Sequence, residues 1–481
     1  MRAPQPKKVR RATAATIFAR LRARVLLEAH GSGEVVARFE GQSVSFGMFS
    51  AGTARFVDDL RAGVPLESVG SGKKDSKESA LLLRRLAIAG ALEYAIGSGK
   101  ADEDLVVIEP QIADYWPQKA EIKGSDTIVL SRFAYLRRRG DDFVLESPLA
   151  GALFRLCDAK IAAALATLCV PQKLSALSKP DDFVGPALLG LLLDCGILFK
   201  VDAAEKRPLR LAEGDSNLVF WDFHDLLFHS RSTEGRHTNP AGGVYPYNGL
   251  IPPLPAVRPS WPGKKVDLRA NAPALRPIAK IFRERHSVRS FDDGKPITLA
   301  ELSEFLDGAA RNLSAPTAET GIDDGGHVAR PYPSAGASQE LELYLAVNTC
   351  EGLERGFYHY DAGAHALVRI DVTAAALDAT IAGAQSAMGA PMRPQIVITI
   401  AARFGRVSWK YSALAYSLIL KDVGLLTQTL YLMASNMGLG GCAIGLSNID
   451  LFEKMTGVPF RVEGPVGQFA LGRPATQAAH D

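Results

Sequence analysis

The sequence predicts an α+β protein. Its C-terminal region reads as a mixed sheet with flanking helices and one long central helix. Two repeated modules of hairpin, helices and closing strand precede it. Three observations predict this. Between Ser408 and Gly438 there is no proline and one glycine, Gly424, and the run is rich in Ala, Leu, Ile and Met, which favour helix. A helix of about thirty residues reaches on the order of 45 Å. Its polar residues Lys410, Ser417, Lys421, Gln428 and Ser435 fall on one stripe, and the rest is apolar nearly all round, as in a buried helix. The second observation is what flanks this run. PQIVITIAARF (394–404) reads as a buried strand before it, and GLGGCAIG (438–445) as a glycine-rich stop after it, where backbone can approach something flat or charged. The third is the N-terminal repeat.

In order, the N-terminus (1–18) is basic and free of acids, and reads as a solvated tail leading into the first strand, not as a transit peptide. Module 1 spans 19–100. RVLLEA (24–29), EVVARFEG and QSVSFG alternate as strands, residues 50–62 read as helix, and Asp75 or Ser76 as the cap of a second helix ending in a strand. A linker, 101–126, leads to module 2 at 127–203. There DTIVLSRFAYLRRRGDDFVLES is a hairpin turning at Gly140-Asp141, GALFRLCDAKIAAALATLC reads as helix, and PDDFVGPALLGLLLDCGILFKV as a helix running into a strand. LLLRRLAIAGALEY and ALLGLLLDCGILFK match in character, each with a Gly between helix and strand. Tandem winged-helix-like modules are the expectation. They lack a concentrated basic helix, so peptide binding or scaffolding is read for them, with no nucleic acid as partner.

Composition narrows the class. The 481 residues suggest about three domains at roughly 150 residues each. A hydrophobic content of 47%, a charged content of 22% and a net charge of +3 fit a globular chain, with neither nucleic acid nor membrane implied. The five cysteines are odd in number and lack metal spacing, which reads as reduced thiols in a cytoplasmic protein. Residues 204–268 form an aromatic, proline-rich connector. Its His224 and His229 stand five apart with no third partner at ligand spacing, so His224 with Asp225 reads as a packed pair and no metal is expected.

Four segments in the remaining region, 269–475 (476–481 being a short tail), carry chemistry. RHSVRSF (285–291) offers Arg285, His286, Ser287 and Arg289. Arginine holds phosphate bidentately and serine adds a hydrogen bond, although such a run is also common at surface helix ends. PSAGASQ (333–339) presents backbone amides and a hydroxyl before an alternating strand. GLGGCAIG is the third, and LGRP (471–474), a strand end bearing Arg473, the fourth.

In this order and separation the four segments resemble the FMN-dependent nitroreductase superfamily, over about residues 270–475. Lys410-Tyr411, the WDFHDLLFHSRS segment and the fused modules narrow the resemblance to the SagB-type dehydrogenases, azoline oxidases of thiazole/oxazole-modified peptide biosynthesis. The resemblance implies a nitroreductase-like domain binding FMN at a homodimer interface. It implies oxidation of azolines in a precursor peptide to azoles, with oxygen as final acceptor, and work beside a cyclodehydratase. Residue by residue, it implies that Arg285, His286, Ser287 and Arg289 contact FMN. Pro333, Ser334, Ala335 and Gly336 match the turn that meets the flavin from a partner subunit. Gly440, Gly441 and Ala443 match the loop along the isoalloxazine, Arg473 a phosphate ligand, and Lys410 and Tyr411 the catalytic pair. The chain departs at Gly424-Leu425, where many members have Gly-His.

Aromatising an azoline removes a hydride and a proton, so the protein must supply a base and exclude water. Tyrosine's ordinary pKa of about 10 calls for help, and an ammonium beside it and a helix starting near Ser408 are the sources in view. As residues alone, Lys410 also reads as the solvent end of the polar stripe and Tyr411 as a core aromatic. Adjacent helical residues point about 100° apart, so both serve one substrate only at a frayed helix start. Two other readings compete: an NAD(P)H-dependent nitro- or quinone reductase, and a non-enzymatic peptide-binding scaffold with a decayed flavin fold.

Overall fold

The computed structural model describes residues 16–30, 33–39, 42–69, 74–97, 104–177, 185–202, 208–214, 216–238, 245–253, 255–257, 276–315, 317 and 326–475. Most of the basic tail, much of the proline-rich connector and residues 476–481 lie outside the described residues. The chain divides into two compact units, residues 1–231 with 235–238, and residues 232–234 with 239–481. No helix among the described residues is long and apolar enough to cross a membrane, and all five cysteines are free.

The first unit runs β1 (Thr16–Leu21), β2 (Leu26–Ala29), β3 (Glu34–Phe39), β4 (Gln42–Met48), α1 (Ala51–Ala62), β5 (Val64–Pro65), α2 (Lys74–Ile88), β6 (Leu92–Gly97), β7 (Val106–Pro110), β8 (Thr127–Leu130), β9 (Tyr135–Arg139), β10 (Asp142–Glu146), β11 (Ala152–Leu156), α3 (Ala159–Ala166), β12 (Gln172–Lys173), α4 (Pro186–Asp194), β13 (Leu198–Val201), α5 (Leu209–Ala212) and α6 (Phe223–Ser232). A seven-stranded antiparallel sheet, β5-β1-β6-β7-β11-β10-β9, takes strands from both predicted modules. The modules therefore share one sheet instead of standing apart. The joint is β7, inside the predicted linker 101–126, which pairs with β6 on one side and β11 on the other. Smaller sheets, β2-β3-β4 and β12-β8-β13, complete the unit.

The hairpin at Gly140 forms as expected, with Arg139 opposite Asp142 and Gly140 at φ 59°. Residues 152–156, read as helix, are strand β11. Their Ala, Leu and Arg favour helix in isolation, but cross-strand pairing overrides so weak a preference. Asp75 and Ser76 fall inside α2, which begins at Lys74, so neither stands before it as a cap. Arg20 pairs with Glu93 and Asp104, Arg137 with Glu146, and Arg139 with Glu109, so these arginines are committed within the unit. His224 bonds Asp225 at 3.2 Å. His229 is fully buried and stacks on Trp221, and burial pushes its pKa down to about 3. His229 is a packing residue, whereas His224 is exposed beside the buried Asp225.

The second unit runs α7 (Pro277–Glu284), α8 (Leu299–Ala310), β14 (Leu341–Val347), β15 (Gly356–Asp361), β16 (Ala366–Ile370), α9 (Ala374–Met388), β17 (Ile396–Arg403), α10 (Phe404–Ser408), α11 (Ala415–Asn436), β18 (Gly440–Ile444), α12 (Ile449–Thr456) and β19 (Glu463–Gly472). Its sheet, in the order β16-β15-β14-β17-β19-β18, is antiparallel at every described pairing. That corrects the mixed sheet expected. The helical crossover leaves β17 and β18 running the same way, but β19 lies between them and opposes both. β17 is buried along nearly its whole length, as its apolar run predicts. Residues 232–234 also belong to this unit: Glu234 donates its amide to Ser447 O and accepts the Ile449 amide. The region thus draws on residues well before 269.

The long helix is the other correction. It spans 22 residues, about 33 Å at 1.5 Å per residue. It starts at Ala415, not near Ser408, because the chain leaves α10 and turns at 409–414 before α11 begins. Its buried face carries Ala415, Tyr416, Ile419, Asp422, Leu426, Leu430, Tyr431 and Ala434. Of the predicted polar stripe, Lys410 lies before the helix, Ser417 and Lys421 are exposed, and Gln428 and Ser435 are half-buried.

Candidate active site

Two clusters sit on α11, nine residues apart, about 13 Å along the axis. The first is organised by Tyr431, which the sequence reading did not single out. Its hydroxyl accepts the Ala443 amide at 2.7 Å and bonds the Ser287 hydroxyl at 2.8 Å. Its ring meets Phe469 edge-on at 5.0 Å, and the Arg285 guanidinium lies over it, also at 5.0 Å. The RHSVRSF segment is tied to β18 by the Val288 amide donating to Gly441 O at 2.9 Å. So Arg285, Ser287, Gly440, Gly441 and Ala443 come together. His286 is exposed beside them, its Nδ1 2.9 Å from Glu284 O.

The glycines of β18 have protein neighbours. A Cβ on Gly440 would lie 2.7 Å from Val288 Cγ1, and one on Gly441 2.2 Å from Phe469 Cζ. Side-chain packing therefore already requires both. Burial pushes the Cys442 thiol up, opposed by the cation of Arg289. Neither Arg285 nor Arg289 has an ion-pair partner among the described residues. Two uncommitted guanidinium groups with a hydroxyl between them in sequence are a donor set suited to a phosphate monoester, and so fit the phosphate end of FMN.

Arg473 is placed differently. The strand end bearing it pairs with the same segment, through the Phe291–Pro474 bridge and the Asp292 amide donating to Arg473 O. Its guanidinium, however, bonds both Glu301 oxygens at 2.8 Å and Lys295 O at 3.2 Å. Glu301 belongs to the Thr298 capping box of α8, and these bonds hold its carboxyl below the usual range. Arg473 is neutralised where it stands.

The second cluster joins the 333–336 turn to Lys410 and Tyr411. Gly336 (φ 56°), Ala337 (φ 54°) and Gln339 (φ 46°) are left-handed. So unusual a run is held in place by three clamps. Asp422 Oδ2 accepts the Ala335 amide at 2.8 Å, Ser334 Oγ accepts the Gln339 amide at 3.0 Å, and Arg406 donates to Ser338 O. Over Gly336 the catalytic candidates converge. A Cβ there would lie 2.5 Å from Tyr411 Oη and 3.0 Å from Lys410 Nζ, and that ammonium donates to Gly336 O at 3.4 Å. They converge because neither is in a helix. Both their amides donate to Val407 O as the chain leaves α10, which frees the side chains from helical divergence. Lys410 is exposed and Tyr411 half-buried. Pro333 and Ser334 also line an open groove with Ser314, Arg330 and Tyr332.

Asp422 and Glu340, under this turn, were also missed. Asp422 had a signal, since it is an acid on the apolar side of α11, off the polar stripe.

Residues 282–473 match the nitroreductase family, and residues 128–238 match the cyanobactin oxidase family ThcOx. A putative nitroreductase of Methanocaldococcus jannaschii is 34% identical over 168 residues, 35% of this chain and 78% of that protein. Among solved structures, a putative nitroreductase of Ralstonia eutropha is 23% identical, over 42% of this chain and 85% of its own, with a TM-score of 0.33. The E. coli microcin synthetase McbBCD complex with truncated pro-MccB17 bound gives 20% identity, 56% and 100% coverage, and a TM-score of 0.40. The chain belongs to the nitroreductase family, and its match to the cyanobactin oxidase family lies ahead of that domain.

Proposed function

We propose that this protein is an FMN-dependent dehydrogenase that oxidises azoline rings of a ribosomal precursor peptide to azoles, with oxygen as final electron acceptor. The observation that carries the reading is the convergence of Lys410 and Tyr411 on Gly336. It sets an ammonium and a phenol at one point, next to a groove open to solvent. Arg285, Ser287 and Arg289 would hold the FMN phosphate, and Gly440, Gly441 and Ala443 would line the ring system. Arg473 would join them only by exchanging Glu301 for phosphate. The 333–336 turn is about 13 Å along α11 from the arginine cluster, so it is assigned to the flavin of a second copy, in a homodimer. Bound FMN supplies a hydride acceptor.

The chain's own residues do the rest. Tyr411 takes the proton from the azoline α carbon, and Lys410 steadies the anion or exchanges roles with it. The first unit holds the peptide. The ring loses one hydride and one proton, and gains nothing. The test is direct: yellow purified protein, incubated in air with an azoline peptide, should remove two hydrogens per ring, read by mass. A flavin bleached quickly by NADPH, with the peptide unchanged, would replace this reading with a nitro- or quinone reductase.

A further inference from the structure

Beneath the Lys410–Tyr411 cluster lies a buried pair of acids that the proposed mechanism does not use. Glu340 is 0% exposed and Asp422 3%. Both Glu340 carboxyl oxygens are buried with no hydrogen-bond donor among the described residues, and the group facing them is the Asp422 carboxyl. Asp422 Oδ2 meanwhile accepts the Ala335 amide of the 333–336 turn.

Two ionised carboxylates at one dry site repel, and neither can be left without a donor cheaply. One proton on the pair removes the repulsion and supplies the missing donor. The cations nearby do not take its place. Arg330 is committed to Asn312, the Tyr332 hydroxyl and Leu341 O. Lys421, next to Asp422 on α11, is exposed. Arg403 lies 3.8 Å from Glu342, and Lys410 bonds Gly336 O across the turn. Tyr332, which burial pushes up to about 12, stays neutral.

We propose that Glu340 and Asp422 share one proton and in that form are positioning residues: the protonated pair lets Asp422 keep the Ala335 amide, and so holds the left-handed turn against which Lys410 and Tyr411 are set. The catalytic consequence rests on the reading of that pair given above; the proton and the clamp do not. Burial and the facing Asp422 push Glu340 up to about 7, and burial also raises Asp422. A carboxyl raised in the folded state contributes stability that is full below its unfolded pKa of about 4.3 and is lost as pH rises through about 7.

Four measurements on the full-length protein test this. Infrared difference spectra of the wild type should show a protonated buried carboxyl at about pH 6 that disappears on titration through about 7 and is missing from Glu340→Gln. The Tm of Glu340→Gln, which keeps a donor but cannot ionise, should gain on wild type as pH rises across that range. Hydrogen exchange over residues 333–339 should quicken in Asp422→Ala by about tenfold or more and return towards wild type in Asp422→Asn, which keeps an acceptor. With azoline substrate, wild-type kcat should fall behind that of Glu340→Gln as pH rises above about 7. No carboxyl band in the wild type, or parallel Tm–pH curves, overturns the shared proton. Unchanged exchange in Asp422→Ala overturns the clamp. A wild type inactive on azolines defeats the functional reading alone, since the spectra, Tm and exchange do not depend on it.

Discussion

At the scale of single residues, the site turns on a backbone atom. Lys410 and Tyr411 are brought together over a position that has room for no side chain, so Gly336 is as informative as either. Tyr411→Phe removes only a hydroxyl and Lys410→Ala only an exposed ammonium, so both should fold and keep FMN. Each should lose turnover by about a hundredfold or more, the range for a lost general base. Steady-state rates on an azoline peptide check this, and two flavin-replete mutants within a few-fold of wild type would make the pair structural. Gly336→Ala asks the same question from the other side. Its Cβ would stand 2.5 Å from Tyr411 Oη, at φ 56°. The left-handed backbone costs a non-glycine residue roughly 1–2 kcal/mol, and the phenol must move. Turnover should fall as in Tyr411→Phe, while flavin absorbance stays; unaltered turnover would show that the convergence is not used. Sequence and resemblance pointed to Lys410, Tyr411 and Gly336, but not to their meeting. Tyr431 was silent because an aromatic on the apolar face of a helix usually reports packing, and only its neighbours reveal the two hydrogen bonds its hydroxyl makes.

At the scale of elements, α11 is a ruler with a cluster at each of two marks, and Tyr431 fixes one of them. Tyr431→Phe keeps the ring against Phe469 but strips the Ala443 amide and Ser287 of a partner. A buried group left unpaired costs about 1–3 kcal/mol. Denaturant titration should show a loss of that size, and flavin affinity should fall with it as the RHSVRSF segment loosens from β18. Stability equal to wild type would mean that water replaces the hydroxyl. The elements that sequence reasoning found are those whose pattern is local: β17, an uninterrupted apolar run, α2 and α4 before their glycines, and the hairpin at Gly140. Those it lost depend on distant partners. ALFRL favours helix until β7 and β10 flank it. VVIEP was hidden in a linker though its apolar run suits a strand. The break at 409–414 contains neither Pro nor Gly, so propensity carried the helix through it.

At the scale of the whole molecule, the proposed division of labour follows the two units. The homodimer assigned to the second unit should appear by light scattering at micromolar concentration, and a flavin-replete monomer would refute it. The separation of binding from chemistry is tested by where the chain is cut. A cut at 269, suggested by composition, would remove Glu234, whose backbone bonds Ser447 and Ile449 at the start of α12. A cut before Ser232 keeps that pairing and leaves out the cyanobactin oxidase match except for its last seven residues, 232–238. The shortened chain should therefore remain yellow and oxidise a short azoline peptide, because Arg285, Ser287, Arg289, Gly336, Lys410 and Tyr411 are all retained. It should lose affinity for the full-length precursor by about tenfold or more, since the surface assigned to peptide binding is gone; a tenfold loss corresponds to about 1.4 kcal/mol. Starting the chain at 269 instead should lower its Tm below that of the longer piece. Calorimetric titration with the precursor decides the matter. Affinity equal to the full-length protein would move peptide recognition into the flavin domain. Salt-sensitive binding of random duplex DNA by the intact chain would reassign the first unit altogether.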